Sequence, residues 1–440
     1  MRAVFKATLI ALALALLPAQ VVAAAPQAQS DSASELSSVG AAKLPEPKPN
    51  QAKRPTARGV GAAEDSCARV RARIDVLKAE GAQTVACVTS APARKPSAPS
   101  ISPSSFSAED DREALPLPPW CYESSNGDGT WYYNRFQACS IATNLVNVID
   151  VKSGATVGQI FYQTNEYVYT NDELANWGHQ VTIRLVTQWG ETAGTTVQGD
   201  AICNGTCTLS VGHIDFPSQP LSQSNPPFGE AFPETTATAT GAVGEAKSVM
   251  YWQFKNPKWA KQPDLVGSQV AVPIRCDNDT KGVSTVGCVF KDYEPVNVVS
   301  RNGLYPKYAK HISEAQASGL PGAYPDGQPL TRQTDSAEAT KNRSTACPQA
   351  SKGGYTRPAG YSCDEYPFAS THEGAANNPT LGRSFSWCQI SQLSSRTGPG
   401  WSACMIPATE NTAAGRDDLR PFYNKNRVLE KDKFYVWIVD

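Results

Sequence analysis

The sequence predicts an α+β chain: a disordered N-terminal segment, a β-rich middle, and a small mixed unit at the C-terminal end. Three observations carry this. Residues 26–63 are rich in Ala, Pro, Ser and Gln, too poor in apolar groups to offset the entropy of ordering them. Short β-branched and aromatic runs recur between residues 120 and 300, with turn residues between them, which is the spacing of an antiparallel sandwich. Beyond residue 300, helical periodicity and an all-apolar final run occur in one segment, so helices and strands mix there.

The chain has 440 residues, of which 40% are hydrophobic and 18% charged. That length suggests two or three units of about 150 residues each. The 32 Gly and 33 Pro predict abundant loops and few long helices.

Residues 1–25 read as a signal peptide. Met1, Arg2 and Lys6 form a basic start, residues 7–17 are apolar and uncharged, and Val22-Ala23-Ala24-Ala25 offers a cleavage site. The apolar run is shorter than the ~18 residues of a spanning helix, and its order of parts is that of an export signal. A membrane anchor is the competing reading. The expectation is a secreted, extracellular protein with no membrane attachment after cleavage. Residues 26–119 read as mostly disordered linker, with a possible short helix over 64–88 where Val70, Ile74 and Leu77 recur at helical spacing.

Twelve cysteines follow the expected cleavage site, and an even number in an oxidising compartment reads as disulfides. The simplest pairing joins sequence neighbours: Cys67–Cys87, Cys121–Cys139, Cys203–Cys207, Cys276–Cys288, Cys347–Cys363 and Cys388–Cys404. Zinc is the alternative, but only Cys203 and Cys207 have zinc-loop spacing and the four histidines are scattered.

Residues 120–300 read as a β-rich domain. Predicted strands include residues 131–133, 157–162, 167–169, 180–186, 249–254 and 269–275, and Pro273 places the last at a sheet edge. No catalytic constellation stands out, and His179 and His213 have no partner motif. In residues 301–440, a helix is expected over 306–316, with Gly319 just past its end, and another over 411–424, where Pro421 argues for a kink or an early stop. Residues 434–439 read as a buried last strand. The formal net charge is −1, but residues 296–440 hold 16 Lys/Arg against 13 Asp/Glu, which tilts this end toward a polyanion.

The densest chemistry is Cys363-Asp364-Glu365-Tyr366-Pro367-Phe368-Ala369-Ser370-Thr371. Hydrolysis of a phosphodiester needs an activated water, neutralised phosphate charge and help for the leaving oxygen, and a divalent cation beside a base supplies much of this. Asp364 and Glu365 are adjacent, so in a strand they point to opposite faces. Hard oxygen ligands favour Mg²⁺ or Mn²⁺. Arg343, Arg383 and Arg416 lie near the motif positions, and guanidinium matches phosphate bidentately. Tyr366, Pro367 and Phe368 read as core and turn, and Cys363 as half of a disulfide that locks the strand presenting Asp364.

The segment resembles the signature of the NucA/NucB-type secreted deoxyribonucleases. Tyr305-Pro306, His311-Ile312, Lys341-Asn342-Arg343, Glu410-Asn411, Gly415 and Arg427-Val428-Leu429 support it in order, so the resemblance spans about residues 300–440. It implies a small ββα-metal fold, with a base on the second strand and metal ligands on the helix that follows. On this chain it makes Asp364 the general base, with Glu365 beside it, and Glu410 and Asn411 the metal contacts. Asp417 and Asp418 are weaker ligand candidates. It also implies a DNA substrate cut with little sequence specificity. His311 reads as structural, and His372-Glu373 as loop polarity or a second ligand set. Competing readings are an inactive surface or binding protein, and a nuclease toxin with a dedicated protein inhibitor.

Overall fold

The computed structural model describes residues 45–52, 66–96 and 114–440. The expected signal peptide and most of the linker over 26–63 and 97–113 lie outside the described residues. Parts of the expected linker carry regular structure. Helices Ser66–Ala72 and Ile74–Ala79 are followed by strand Thr84–Ser90, so only the first half of the predicted 64–88 helix is helical. Tertiary pairing overrides local periodicity there. The strand aligns with residues 144–150 and buries Ala86 and Val88 in the core.

The middle of the chain is two facing sheets. The first is built on β1 (Asp128–Tyr133), β2 (Gln137–Asp150), β3 (Thr156–Tyr169) and β4 (Gly178–Gly190), all antiparallel neighbours. Asn50–Ala52 adds to β1. The second sheet holds β5 (Thr196–Gly205), β6 (Val243–Lys255), β7 (Val266–Gln269), β8 (Ile274–Asp277) and β9 (Gly287–Phe290). Ile160, Tyr162 and Ile183 of the first sheet pack against Met250, Trp252 and Phe254 of the second. The alternation of these residues along each strand makes one face of each sheet apolar. The predicted strand over 269–275 is broken in two. β7 ends at Gln269 and β8 starts at Ile274, and Val270 and Val272 between them are buried in the core without continuing the ladder.

The C-terminal unit mixes helices and short sheets. β10 (Val296–Ser300) runs parallel to the last strand, β13 (Lys433–Val439), so residues 296–300 pair with this unit and not with the sandwich. α1 (Pro306–Ala317) and α2 (Ser336–Ala346) precede β11 (Tyr361–Tyr366), which pairs antiparallel with β12 (Trp401–Pro407). α3 (Ala408–Ala414) follows β12 directly, and a π turn over Gly415–Leu419 leads into α4 (Arg420–Lys425). Pro421 sits in the first turn of α4, where a missing N–H costs least, so the chain stays helical through it. Tyr308, Ile312, Phe368, Phe422, Tyr423, Phe434 and Val436 share one core.

All six disulfides join the sequence neighbours expected: 67–87, 121–139, 203–207, 276–288, 347–363 and 388–404. No described helix is long and apolar enough to cross a membrane.

Candidate active site

β11 is an edge strand: β12 covers one side of it, and a cavity of about 750 Å³ opens beside Ser362, Cys363, Asp364 and Glu365. Two devices fix its position. The Cys347–Cys363 bridge ties it to the end of α2. Buried Asn342 of α2 donates to the carbonyls of Ala369 and Thr371 at 3.0 and 3.1 Å, and its own oxygen accepts from Ala376 N. The strand and the loop after it are therefore held from the same helix. The base candidate sits on the first strand of the β11–β12 pair, where the resemblance implied the second.

Asp364 is one end of a buried relay. Its Oδ2 lies 2.6 Å from His311 Nδ1, and His311 Nε2 lies 2.9 Å from Ser402 Oγ. A separation of 2.6 Å between carboxylate and imidazole places a proton between them. His311 is fully buried and comes from α1, 53 residues away. Among the described residues Asp364 Oδ1 accepts no hydrogen bond, so this oxygen is left for a ligand in the cavity. Tyr308, one turn earlier on α1, also lines the cavity. Its buried hydroxyl has no partner among the described residues, and burial, reinforced by Asp418 and Asp364, pushes its pKa well up.

Glu365 projects the other way, toward α2, as strand alternation requires. Arg343 Nε stands 3.7 Å from its Oε1. Burial pushes the Glu365 carboxyl up to about 7. The neighbouring Asp364 charge adds to the rise and Arg343 opposes it.

The residues expected around these acids divide into two groups. Asn411, Arg343 and Arg416 line the same cavity as Asp364. Asn411 Nδ2 donates to Ser362 Oγ at 3.0 Å and Cys363 O at 3.2 Å. Arg416 is already paired with Asp417 through two 2.6 Å bonds.

Glu410 and Arg383 are engaged elsewhere in the structure. Glu410 Oε1 accepts from Tyr308 N at 2.7 Å, capping the first turn of α1, and the side chain does not line the cavity. α1 lacks a side-chain cap of its own, and a carboxylate there complements the helix dipole. Arg383 is fully buried. Its two terminal guanidinium nitrogens donate to Ser318 O and Oγ and to the carbonyls of Gly398 and Pro399, at 2.7–2.9 Å. It staples the end of α1 to a loop. Of the weaker candidates, Asp417 is held by Arg416 and Asp418 accepts from Asn297 at 3.0 Å. His372 pairs with Glu430 at 2.7 Å, and Glu373 accepts from Thr331 N at 2.9 Å, both away from the cavity.

No three His, Cys, Asp or Glu side chains converge as a metal cage among the described residues. The cavity instead offers hard oxygens: the Asp364 carboxylate, the Asn411 amide oxygen and Ser362 Oγ, with Glu365 nearby. Such a sparse, oxygen-only set fits a small cation that keeps most of its water, as Mg²⁺ does, and does not fit a closed zinc site.

An acid relayed to a buried histidine, hard donors and several guanidiniums thus share one cavity. Residues 323–437 match the family model of deoxyribonuclease NucA/NucB. No curated protein and no solved structure matches the chain. The matched NucA/NucB region contains Asp364, Glu365, Asn411, Arg343 and Arg416, but not His311 of α1. The match supports a deoxyribonuclease.

Sequence reasoning missed His311 as the partner of Asp364, and it missed Arg332, which lines the cavity with its guanidinium 4.0 Å above the Tyr423 ring. A signal for His311 existed. Positions 308, 311, 312 and 315 fall on one helix face, and all are buried. A histidine on such a face needs polar partners, and acids on the strand packed below are the natural ones. Arg332 left no comparable trace.

Proposed function

We propose that the chain is a secreted endonuclease that hydrolyses phosphodiester bonds of extracellular DNA with little sequence specificity, with a divalent cation, Mg²⁺ or Mn²⁺, as cofactor. The observation that carries it is Asp364, tied by one oxygen to a buried histidine and open at the other, in a cavity rimmed by arginines within the NucA/NucB match. The order β11, β12, α3 is compatible with a ββα-metal arrangement. The six disulfides suit an oxidising compartment.

In this reading Asp364 Oδ1 takes a proton from the attacking water. The His311 contact at Oδ2 fixes the carboxylate plane and shares the proton it gains. Arg343, Arg416 and Arg332 neutralise non-bridging oxygens of the scissile and neighbouring phosphates. Beside Asp364, Asn411 and Ser362 would hold the cation, which when bound supplies charge neutralisation and eases departure of the 3′ oxygen. Contacts of this kind read the phosphate backbone and not the bases.

The test is plasmid nicking by the full chain with Mn²⁺, with EDTA, and with Asp364→Asn. The variant keeps the shape and one hydrogen bond to His311 but not the basicity. It is expected to fold normally and to lose at least about a hundredfold in rate. Wild-type nicking by a folded Asp364→Asn protein would remove Asp364 as the base, and full activity in EDTA would remove the cation.

A further inference from the structure

The sandwich and the C-terminal unit meet through a buried arginine cluster. Arg427, fully buried and at a φ of +46°, sends its guanidinium into the sandwich. There it donates to both carboxylate oxygens of Asp277 at 3.0 and 2.8 Å, and to the carbonyls of Asp172 and Thr285 at 2.6 and 3.1 Å. Two sandwich arginines reach the opposite way. Arg135 donates to the carbonyls of Asn426 and Arg427 at 2.8 and 3.2 Å. Arg275 takes both oxygens of Asp432 at 2.8 and 2.7 Å and donates to Arg427 O. The turn over 426–432 is thus held at both ends by side chains of the sandwich. A positive φ at a residue other than glycine is strained, and this network is what fixes it.

That turn also carries a wall of the cavity. Arg332 N donates to Asp432 O at 2.8 Å and Lys431 N donates to Arg332 O at 2.9 Å. The Arg332 guanidinium then donates to the carbonyls of Gln333 and Ser370 at 2.8 and 3.1 Å, stacks on Tyr423, and lines the cavity with Asp364. A continuous set of hydrogen bonds therefore runs from Arg275 through Asp432 to Arg332. A contiguous chain of hydrogen bonds of this kind is a physical route by which one end biases the other.

We propose that the sandwich is a positioning element of the nuclease site, and not a separately tethered module. Arg135, Arg275 and Asp277 hold the 426–432 turn so that Arg332 presents a fixed guanidinium to a phosphate beside Asp364. This rests on the reading of the cavity as the phosphodiester-cleaving site. Arg332 is the residue that touches substrate; Arg275 acts through it.

The experiment is a double-mutant cycle on the full chain. It measures kcat and KM for DNA nicking with Mn²⁺, alongside thermal unfolding, for Arg275→Met, Arg332→Gln and the pair. Each single change is expected to lower kcat/KM about tenfold, and the double variant to be no worse than Arg332→Gln alone, because coupled positions are non-additive. A merely structural role for Arg275 would lower the unfolding midpoint and leave its effect on kcat/KM independent of Arg332. A folded Arg275→Met protein with wild-type kcat/KM, or losses that multiply in the double variant, overturns the proposal. If Arg275→Met does not fold, Asp432→Asn carries the same comparison, since that side chain is 20% exposed and keeps its shape. Asp364→Asn, run in parallel, separates the two readings. Nicking by that variant defeats the site itself, whereas an inactive Asp364→Asn with an unaffected Arg332→Gln defeats only this inference.

Discussion

Replacing Glu365 by Gln should change how stability depends on pH. The Glu365 carboxyl is raised from 4.5 to about 7, chiefly by burial, and its side chain is only 16% exposed. At 1.36 kcal/mol per unit, that rise is roughly 3 kcal/mol. The folded pKa lies above the unfolded one, so between them the native state binds more protons than the unfolded state. The contribution is therefore fully present below pH 4.5 and is lost as pH rises through about 7. The glutamine side chain of the variant cannot ionise and escapes that loss. Denaturant unfolding of wild type and Glu365→Gln in EDTA, from pH 4 to pH 9, measures the difference. Relative to wild type, the variant should gain about 3 kcal/mol across that range, with most of the change between pH 5 and 7.5. The absolute offset at pH 4 reports lost packing and is not part of the argument. A difference that stays flat with pH would show that Glu365 titrates normally and that the cavity wall around it is wet.

Three other outcomes follow from the same geometry. Arg383→Ala should cost about 2–4 kcal/mol in unfolding free energy, because four oxygens lose a charged donor, yet nicking measured well below the melting temperature should persist; loss of DNA affinity without loss of stability would return Arg383 to the phosphate site. Glu410→Gln should weaken the start of α1 by about 1 kcal/mol while leaving the Mn²⁺ dependence of nicking in place, and a large rise in the Mn²⁺ requirement would restore Glu410 as a ligand. With Asp364→Asn protein, DNA binding should fall with salt at a log–log slope near −2.7 for three phosphates met by Arg332, Arg343 and Arg416, and removing Arg343 should flatten it by about 0.9; a salt-independent affinity would contradict backbone recognition.

The elements read correctly from sequence were those specified by their own residues. The α1 helix was legible because Pro306 opens it and Gly319 follows it, and β13 because residues 434–439 are apolar throughout. The disulfides followed the order of cysteines along the chain, because every bridge closes a loop of at most 20 residues, short enough that neighbours find each other first. Strand Thr84–Ser90 was misread because its partner lies some 60 residues on, outside any local window. The contacts that Glu410 and Arg383 make were hidden for a related reason. Proximity to a motif in sequence says nothing about whether a helix start or a loop carbonyl will claim the side chain.

The residues alone determined which groups could do chemistry: an acid pair at 364–365, an amide at 411, and arginines before and after them. Only the tertiary structure decided which of them share a cavity, that His311 stands behind Asp364 from 53 residues away, and that a guanidinium from position 332 is held by a turn that the sandwich fixes. Periodicity and spacing are properties of a few consecutive residues. Partnership between side chains is set by how distant elements pack, and it is the burial of those elements against one another that makes an otherwise ordinary histidine or arginine choose its contact.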